Sequence, residues 1–209
     1  MRITWPTIDN RPVSRYSDVR YQLHTGDLVA VATDTRGPLA SLRAPIARII
    51  QRVTASPLNH IGILSRLSLH GMDRVLVLEA VAKGVQIAPL SYYVPGLEDG
   101  EPHVRDSRDK LLVLRPDWDD EDDATLALRW AWRQVLRGYD VGDLVKVLLW
   151  RLTGGIWVGP ITPNRMVCSG LVGRAMMEGR IYIPPGNGKL WTPRDLAESP
   201  QVALLWRLV

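Results

Sequence analysis

The chain has 209 residues and a mass of 23.4 kDa, which is the length of one domain or of one large domain with short additions. Its hydrophobic fraction of 46%, charged fraction of 23% and mean hydropathy of -0.04 exclude a collagen-like, mainly disordered or multi-spanning membrane protein. The single cysteine, Cys168, can form no internal disulfide and cannot supply a Cys-based zinc or iron–sulfur site. Cys168 is therefore either a buried core residue or a lone thiol with a chemical role.

The charge is unevenly distributed along the chain. The net charge is +4 and the pI is about 9.5, but six acidic residues lie between positions 117 and 123. Without these six negative charges the net charge would rise from +4 to +10. Such a basic surface attracts anionic partners, among which cell-wall polymer, lipid headgroups and nucleic acid are the alternatives. Nucleic acid is the least favoured, because the sequence lacks both basic stretches with interleaved aromatic residues and zinc-finger spacing.

Targeting and membrane signals are weak. The first residues, Met1 to Pro6, lack the apolar segment of a secretory signal, so we expect a product that is cytoplasmic as synthesised and that something else must carry if it works outside. The most apolar stretch, residues 141–161, is interrupted by charged residues and glycines, whereas a spanning helix needs about 20 largely uncharged residues. We expect no transmembrane segment and interpret residues 143–152 as a helix that is buried or contacts a membrane surface.

In chain order, the sequence predicts an N-terminal arm with little regular structure, followed by one folded domain. The arm covers residues 1–25 and the domain covers residues 26–209. A short apolar run predicts a buried strand at 28–32, and apolar residues at helical spacing predict a helix at 39–53. Short β-type runs that glycine and proline separate, typical of antiparallel strands, follow at residues 60–64, 75–81, 85–89 and 111–114.

The second half of the domain is predicted to be mainly helical. Acidic residues begin the segment 119–137 and arginines end it, which complements a helix dipole and indicates a capped helix. Further helices are predicted at 168–177, which Gly179 ends, and after Thr192, with Pro193 in the first turn. The predicted fold class is α+β, with an antiparallel sheet or small barrel packed on helices and the thiol at the N-terminus of a late helix.

Three residues are candidates for a nucleophilic site. Cys168 is predicted at a helix N-terminus, where free N–H groups and the helix dipole lower the pKa of a thiol. Among the four histidines, His60 alone begins an apolar strand, which would hold its ring in place as a base. Glu79 lies in the apolar run 75–81, where a buried carboxylate requires a partner. Each also has a structural explanation: Cys168 as a core residue, His60 as the start of a strand and Glu79 as the partner of an arginine.

Seven short segments between residues 25 and 200 occur in a characteristic order. They are Gly26-Asp27-Leu28-Val29, Ser56-Pro57-Leu58-Asn59-His60-Ile61-Gly62-Ile63, Leu78-Glu79-Ala80, Gly84-Val85 with Pro89-Leu90, Gly138-Tyr139-Asp140, Cys168-Ser169-Gly170-Leu171-Val172 and Thr192-Pro193-Arg194-Asp195-Leu196. In this order they resemble the circularly permuted branch of the NlpC-type papain-like superfamily, the YiiX-like group. The resemblance implies a permuted papain-like fold with Cys168 as nucleophile, His60 as general base and acid, and Glu79 as the residue that orients His60.

The resemblance also implies a function and, since no secretory signal is seen, delivery to the cell wall by a virion or another machine. It implies a cysteine amidase or peptidase that needs no cofactor and no metal, acts on bacterial cell-wall peptide bonds and binds substrate through Ser169, Tyr139 and Asp140. One position differs: the cell-wall enzymes carry Asp before the nucleophile to hold the free amino group of a stem peptide, and this chain has Val167. Two other functions stay open, a lipid-directed thiol acyl hydrolase or acyltransferase and a catalytically silent binding or structural module, for example of a phage or secretion apparatus.

Overall fold

The computed structural model describes residues 2–35, 45–70, 72–94, 110–139, 165–184 and 191–208. These residues form a mixed α and β structure. The helices are α1 (Trp5–Asp9), α2 (Tyr16–Val19), α3 (Pro45–Thr54), α4 (Glu121–Trp132), α5 (Cys168–Glu178) and α6 (Pro193–Ala197). The strands are β1 (Val13–Ser14), β2 (Leu28–Ala32), β3 (His60–Leu69), β4 (Met72–Val81), β5 (Gly84–Pro89), β6 (Lys110–Pro116), β7 (Gly138–Tyr139), β8 (Arg165–Met166) and β9 (Val202–Leu208).

Seven of these strands form one sheet, in the order β1-β9-β6-β2-β3-β4-β5. Neighbouring strands in the sheet are antiparallel, except for the short β1, which pairs with β9 in parallel. β7 and β8 form a separate parallel pair. The predicted α+β class with a mainly antiparallel sheet is therefore confirmed.

All five strands that the sequence predicts are present, as β2 to β6. β2 has the predicted bounds, whereas β3 and β4 extend into a longer hairpin that reaches Leu69 and Met72. The outer part of the two strands, residues 66–70 and 72–74, is mostly exposed and therefore lacks the apolar pattern of a buried strand. β9 has no counterpart among the predicted strands, although its first residues alternate between buried Val202, exposed Ala203 and buried Leu204.

Residues 2–24 differ from the predicted arm, because they contain α1, α2 and β1 and pack against the rest of the molecule. Ile3 and Ile8 are fully buried in the main core, and Leu23 is buried on the other face of the sheet. The guanidinium of Arg207, in the last strand, donates to the carbonyls of Ile8 and Asp9. Elements of two to five residues are too short to show a periodicity in the sequence. The structure of this segment therefore depends on its contacts with distant residues.

The sheet has an apolar core on each face. On one face, Leu28 and Ala30 of β2 and Ile61 and Ile63 of β3 pack with the buried face of α5. On the other face, Val29 and Val31 of β2 pack beneath residues of the N-terminal segment and β4. Because both faces are covered, every residue of β2 is buried, which accounts for its unbroken apolar sequence.

The helices begin and end where local capping residues place them. α4 begins after Asp120, which accepts a hydrogen bond from the N–H of Asp123, but it ends at Trp132, before the predicted residue 137. α5 extends one residue beyond the predicted 168–177, and α6 begins at a capping box between Thr192 and Asp195. The helix predicted at 39–53 is described only from residue 45, and the one predicted at 143–152 lies outside the described residues. Every helix in the described parts of the chain is too short or too polar to cross a bilayer.

Candidate active site

Cys168 is the first residue of α5 and is almost completely buried. The preceding residue, Val167, is the N-cap and provides no side-chain hydrogen bond to the helix. The backbone N–H groups of Ile61 and Ser169 donate to the Cys168 sulfur instead. Burial raises the pKa of the thiol, but the hydrogen bond and positive charge of His60, together with these two N–H groups, lower it below its ordinary value. The site therefore favours a thiolate.

His60 begins β3, in register with Val31 of β2, and lies between Cys168 and Glu79. Its Nε2 atom is 2.5 Å from Oε2 of Glu79, and its ring also makes a hydrogen bond with Cys168. Burial lowers the pKa of His60, but the hydrogen bonds and charges of Cys168 and Glu79 outweigh this effect and raise it to about 9. At neutral pH the ring is therefore protonated and can pair with a thiolate.

Glu79 lies on β4 and has only 1% of its surface exposed. Its Oε2 atom contacts His60, while its Oε1 atom accepts hydrogen bonds from Nε2 of Gln86, at 3.0 Å, and from the hydroxyl of Tyr93. Burial raises the pKa of this carboxyl, but these three partners lower it to about 2. Both oxygens are bound, so the carboxylate is charged and fixed in orientation beside His60.

Gly62 gives Glu79 the space to reach His60. Residues 60 and 62 share one face of β3, because side chains alternate along a strand. A Cβ atom at Gly62 would lie 2.7 Å from Cγ1 of Val77, 3.0 Å from the carbonyl oxygen of Leu78 and 3.4 Å from Cβ of Glu79. The missing side chain therefore allows β4 to lie close to β3 at this point.

A hydrogen-bonded turn fixes the start of β3. The buried side chain of Gln51, on α3, donates to the carbonyl oxygens of Pro57 at 2.6 Å and Thr33 at 2.7 Å. Oδ1 of Asn59 accepts a hydrogen bond of 2.8 Å from the N–H of Thr33. The turn is thus tied to α3 and to the end of β2, which sets the position of His60.

The three predicted substrate-binding residues have different positions. Ser169 is buried, and its hydroxyl donates to the carbonyl oxygen of Trp191 at 2.7 Å, so its side chain holds the start of α5 while its N–H faces the sulfur. Tyr139 ends β7 and pairs through its backbone with Met166, two residues before Cys168. Asp140 lies outside the described residues.

Four residues of the site were not among the sequence candidates: Gly62, Gln51, Gln86 and Tyr93. A signal for Gln86 was present, because a two-residue turn at 82–83 between two apolar runs sets a hairpin register that pairs position 86 with Glu79. Tyr93 lies in a short 3₁₀ turn after β5, where neither spacing nor composition points to Glu79.

A cavity of about 970 Å³ lies at the other end of the sheet. Asp27, which precedes β2, and Arg115 of β6 contribute to its wall and form an ion pair. His60 is in register with Val31, at the opposite end of β2. This cavity is therefore separate from the site around Cys168.

Neither the family models nor the curated proteins that were searched match this chain. The described ranges hold no cluster of three or more His, Cys, Asp or Glu side chains that could bind a metal ion. The geometry of Cys168, His60 and Glu79 therefore carries the functional argument.

Proposed function

We propose that this protein is a thiol-dependent amidase or peptidase in which Cys168, His60 and Glu79 form a catalytic triad. The observation that carries the proposal is the hydrogen-bonded chain from the buried Cys168 sulfur through the His60 ring to the buried Glu79 carboxylate. A core cysteine would need neither a protonated imidazole nor backbone N–H groups directed at its sulfur. A nucleophile, a base and a group that orients the base are the parts that covalent acyl transfer requires.

The chemistry follows from the protonation states of the site. The Cys168 thiolate attacks an amide carbonyl carbon, and the C–N bond breaks as the protonated His60 ring gives its proton to the leaving nitrogen. Water then attacks the thioester, His60 accepts a proton from that water, and the thiolate returns as the acid product leaves. The N–H of Cys168, at the start of α5, is the oxyanion donor, because the first N–H groups of a helix have no intrahelical acceptor.

We propose the permuted papain-like architecture on the order and packing of the elements. The strand that carries His60 precedes the helix that carries Cys168, and α5 packs across β3 and β4. This packing places the N-terminus of α5 beside the first residue of β3. The nucleophile and its base therefore meet even though more than a hundred residues separate them.

Cell-wall peptide bonds are the substrate class that we propose. The basic net charge favours an anionic polymer as the partner. Val167 is a buried apolar residue beside the nucleophile and offers no carboxylate for the amino group of a stem peptide. We therefore infer that the enzyme cleaves within cell-wall peptides without requiring a free amino terminus at this point.

Digestion of purified muropeptides by the whole chain tests this function. We expect new amine and carboxyl termini, detected by mass spectrometry, with wild-type protein and not with Cys168→Ala. The Cys168→Ala variant should keep its thermal midpoint close to the wild-type value, since it removes one small atom from a site that is not a packing centre. Intact muropeptides after prolonged incubation with the folded wild type would contradict the proposed substrate.

A further inference from the structure

Helix α3 carries two arginines, Arg48 and Arg52, beside the turn that holds His60. They are four residues apart and therefore lie on one face of the helix. Both line an open pocket of about 360 Å³. The polar residues that complete its wall are Thr4, Thr35, Gln51 and Ser56.

Within the part of the chain that the structure describes, neither guanidinium has a hydrogen bond or an ion pair. Glu198, a nearby carboxylate, already accepts hydrogen bonds from the N–H of Ile3 at 2.7 Å and from Nε of Arg194 at 2.9 Å. Asp34, which precedes Thr35, also has a partner of its own. The two arginines therefore present positive charge to the pocket.

Local helix electrostatics does not account for this pair. The dipole of α3 favours a base in the last turn, as at Arg52, but gives no reason for Arg48 one turn earlier. Like charges four residues apart on a helix repel each other. An anion in the pocket would reduce this repulsion and supply acceptors that the described residues do not offer to either guanidinium.

The pocket and the catalytic centre share the turn that precedes His60. Pro57 lines the pocket and is three residues before His60, so their Cα atoms are within about 10 Å of each other. Gln51 lines the pocket as well, and its side chain donates to the carbonyl oxygen of Pro57. A group bound at Arg48 and Arg52 would therefore be held at a fixed position relative to the base.

We propose that Arg48 and Arg52 form an anion subsite that binds a carboxylate group of the peptide substrate beside the catalytic centre. The inference rests on the proposed peptidase function, because a cell-wall peptide supplies such free carboxylates. Paired guanidinium groups match the two oxygens of a carboxylate. Since Val167 offers no carboxylate for an amino group, this subsite recognises the acidic groups of the peptide rather than its amino terminus.

Binding of inorganic phosphate tests the subsite without turnover. The full chain with Cys168→Ala is titrated with phosphate at constant ionic strength, and the arginine Nε–Hε signals are followed by NMR. We expect saturable shifts of two arginine signals, and a Kd that rises about tenfold or more in Arg48→Gln with Arg52→Gln, because charge-assisted hydrogen bonds are lost.

The matched control is Arg129→Gln with Arg133→Gln. These two exposed arginines are also four residues apart, Arg129 in the last turn of α4 and Arg133 at its C-cap, and do not line the pocket. The control removes the same two charges, so we expect its phosphate Kd to stay at the parent value. If phosphate binding weakens equally in both double variants, phosphate responds only to the overall positive charge of the protein. If phosphate binding does not saturate in the parent, there is no site. Either result overturns the proposal.

Turnover identifies the source of the anion. With muropeptides that carry free carboxylates, Arg48→Gln with Arg52→Gln should raise KM about tenfold and leave kcat near the wild-type value. With the same muropeptides after amidation, the KM values of wild type and variant should agree. An unchanged KM on the acidic substrate, or a variant that loses only its binding to phosphatidylglycerol vesicles, would contradict a peptide subsite.

The subsite and the proposed function can fail separately. If wild-type protein cleaves no muropeptide, the proposed function is wrong and the assignment of a peptide carboxylate is wrong with it. Phosphate binding that is lost in Arg48→Gln with Arg52→Gln and kept in the control would then still establish an anion site with a different ligand. If muropeptides are cleaved and phosphate does not bind, the subsite alone is wrong.

Discussion

Two buried carboxylates, one just before β2 and one on β4, have very different partners. Asp27 and Glu79 each have 1% of their surface exposed, and each has both oxygens bound. Asp27 pairs with Arg115 through two hydrogen bonds of 2.7 and 2.8 Å, whereas Glu79 pairs with His60 at 2.5 Å. Burial of a carboxylate thus does not by itself indicate catalysis.

The two pairs differ in whether the cation can release its proton. The hydrogen bond that Arg115 donates to Asp27 raises the pKa of Arg115, so this guanidinium keeps its proton and the pair ties β6 to the start of β2. His60 can lose and regain a proton, and its ring also contacts a thiol. The first pair is therefore structural, and the second can move a proton to and from a reacting group.

Of the changes to the two carboxylates, Glu79→Gln should have the larger effect on activity. This change keeps the size of the side chain and removes the charge that stabilises the His60 imidazolium. We expect kcat/KM to fall by about 10² or more, since the orienting acid of such a triad is worth at least that much. The change is measured by steady-state turnover of muropeptides, and activity within a factor of two of wild type would remove Glu79 from the triad.

Asp27→Asn is the matching change in the pair with Arg115. We expect a loss of about 2 kcal/mol in the free energy of unfolding, because Arg115 is left without its anion but is partly exposed to water. The kcat of the folded protein should stay within about a factor of two of wild type. Urea unfolding followed by circular dichroism measures the stability. A large fall in kcat at unchanged stability would make Asp27 a functional residue as well.

The pH dependence of kcat/KM should depend on the pair of His60 and Glu79 and not on the pair of Asp27 and Arg115. Above pH 9 His60, whose pKa is raised from 6.5 to about 9, loses the proton that it gives to the leaving nitrogen, so kcat/KM should fall about tenfold per pH unit. The stability that this raised pKa provides is fully present below pH 6.5 and is lost as the pH rises through 9. Asp27→Asn should leave this limb of the profile in place, and Glu79→Gln should move it to lower pH.

A smaller effect is expected from Tyr93→Phe, which removes one of the hydrogen bonds on Oε1 of Glu79. The carboxylate keeps Gln86 and His60 as partners, so kcat/KM should fall only about fivefold. The alkaline limb should also move to slightly lower pH, because a less firmly held carboxylate stabilises the imidazolium less. An unchanged pH profile would show that the tyrosine has only a packing role.

The sequence contains enough information to place Cys168, His60 and Glu79 on their elements. The apolar run after His60 predicts a strand, and Gly179 marks the end of the helix that Cys168 begins. A strand pattern, however, cannot distinguish Glu79, whose partner is a histidine, from a carboxylate paired with arginine. That distinction depends on the register of β3 with β4 and on the space left by Gly62, which arise only in the assembled sheet.

The N-terminal segment could not be predicted for a related reason. Its helices and its strand are too short to show a period, and Ile3 and Ile8 are buried by residues far along the chain. The roles of Tyr93 and Gln51 could not be predicted either. Their hydrogen bonds, to Glu79 and to the carbonyl oxygen of Thr33, join elements that are apart in the sequence. Local patterns thus predict which elements form, and tertiary contacts decide which side chains meet.

The pH dependence of Cys168 alkylation tests the central claim most directly, since it needs no substrate. With iodoacetamide, we expect the wild type to react at pH 6 nearly as fast as at pH 8, because His60 holds the thiolate form. In His60→Ala the rate at pH 6 should fall sharply and rise with pH as for an ordinary thiol. A wild-type rate that follows the titration of an ordinary thiol, with no change in His60→Ala, would contradict the account.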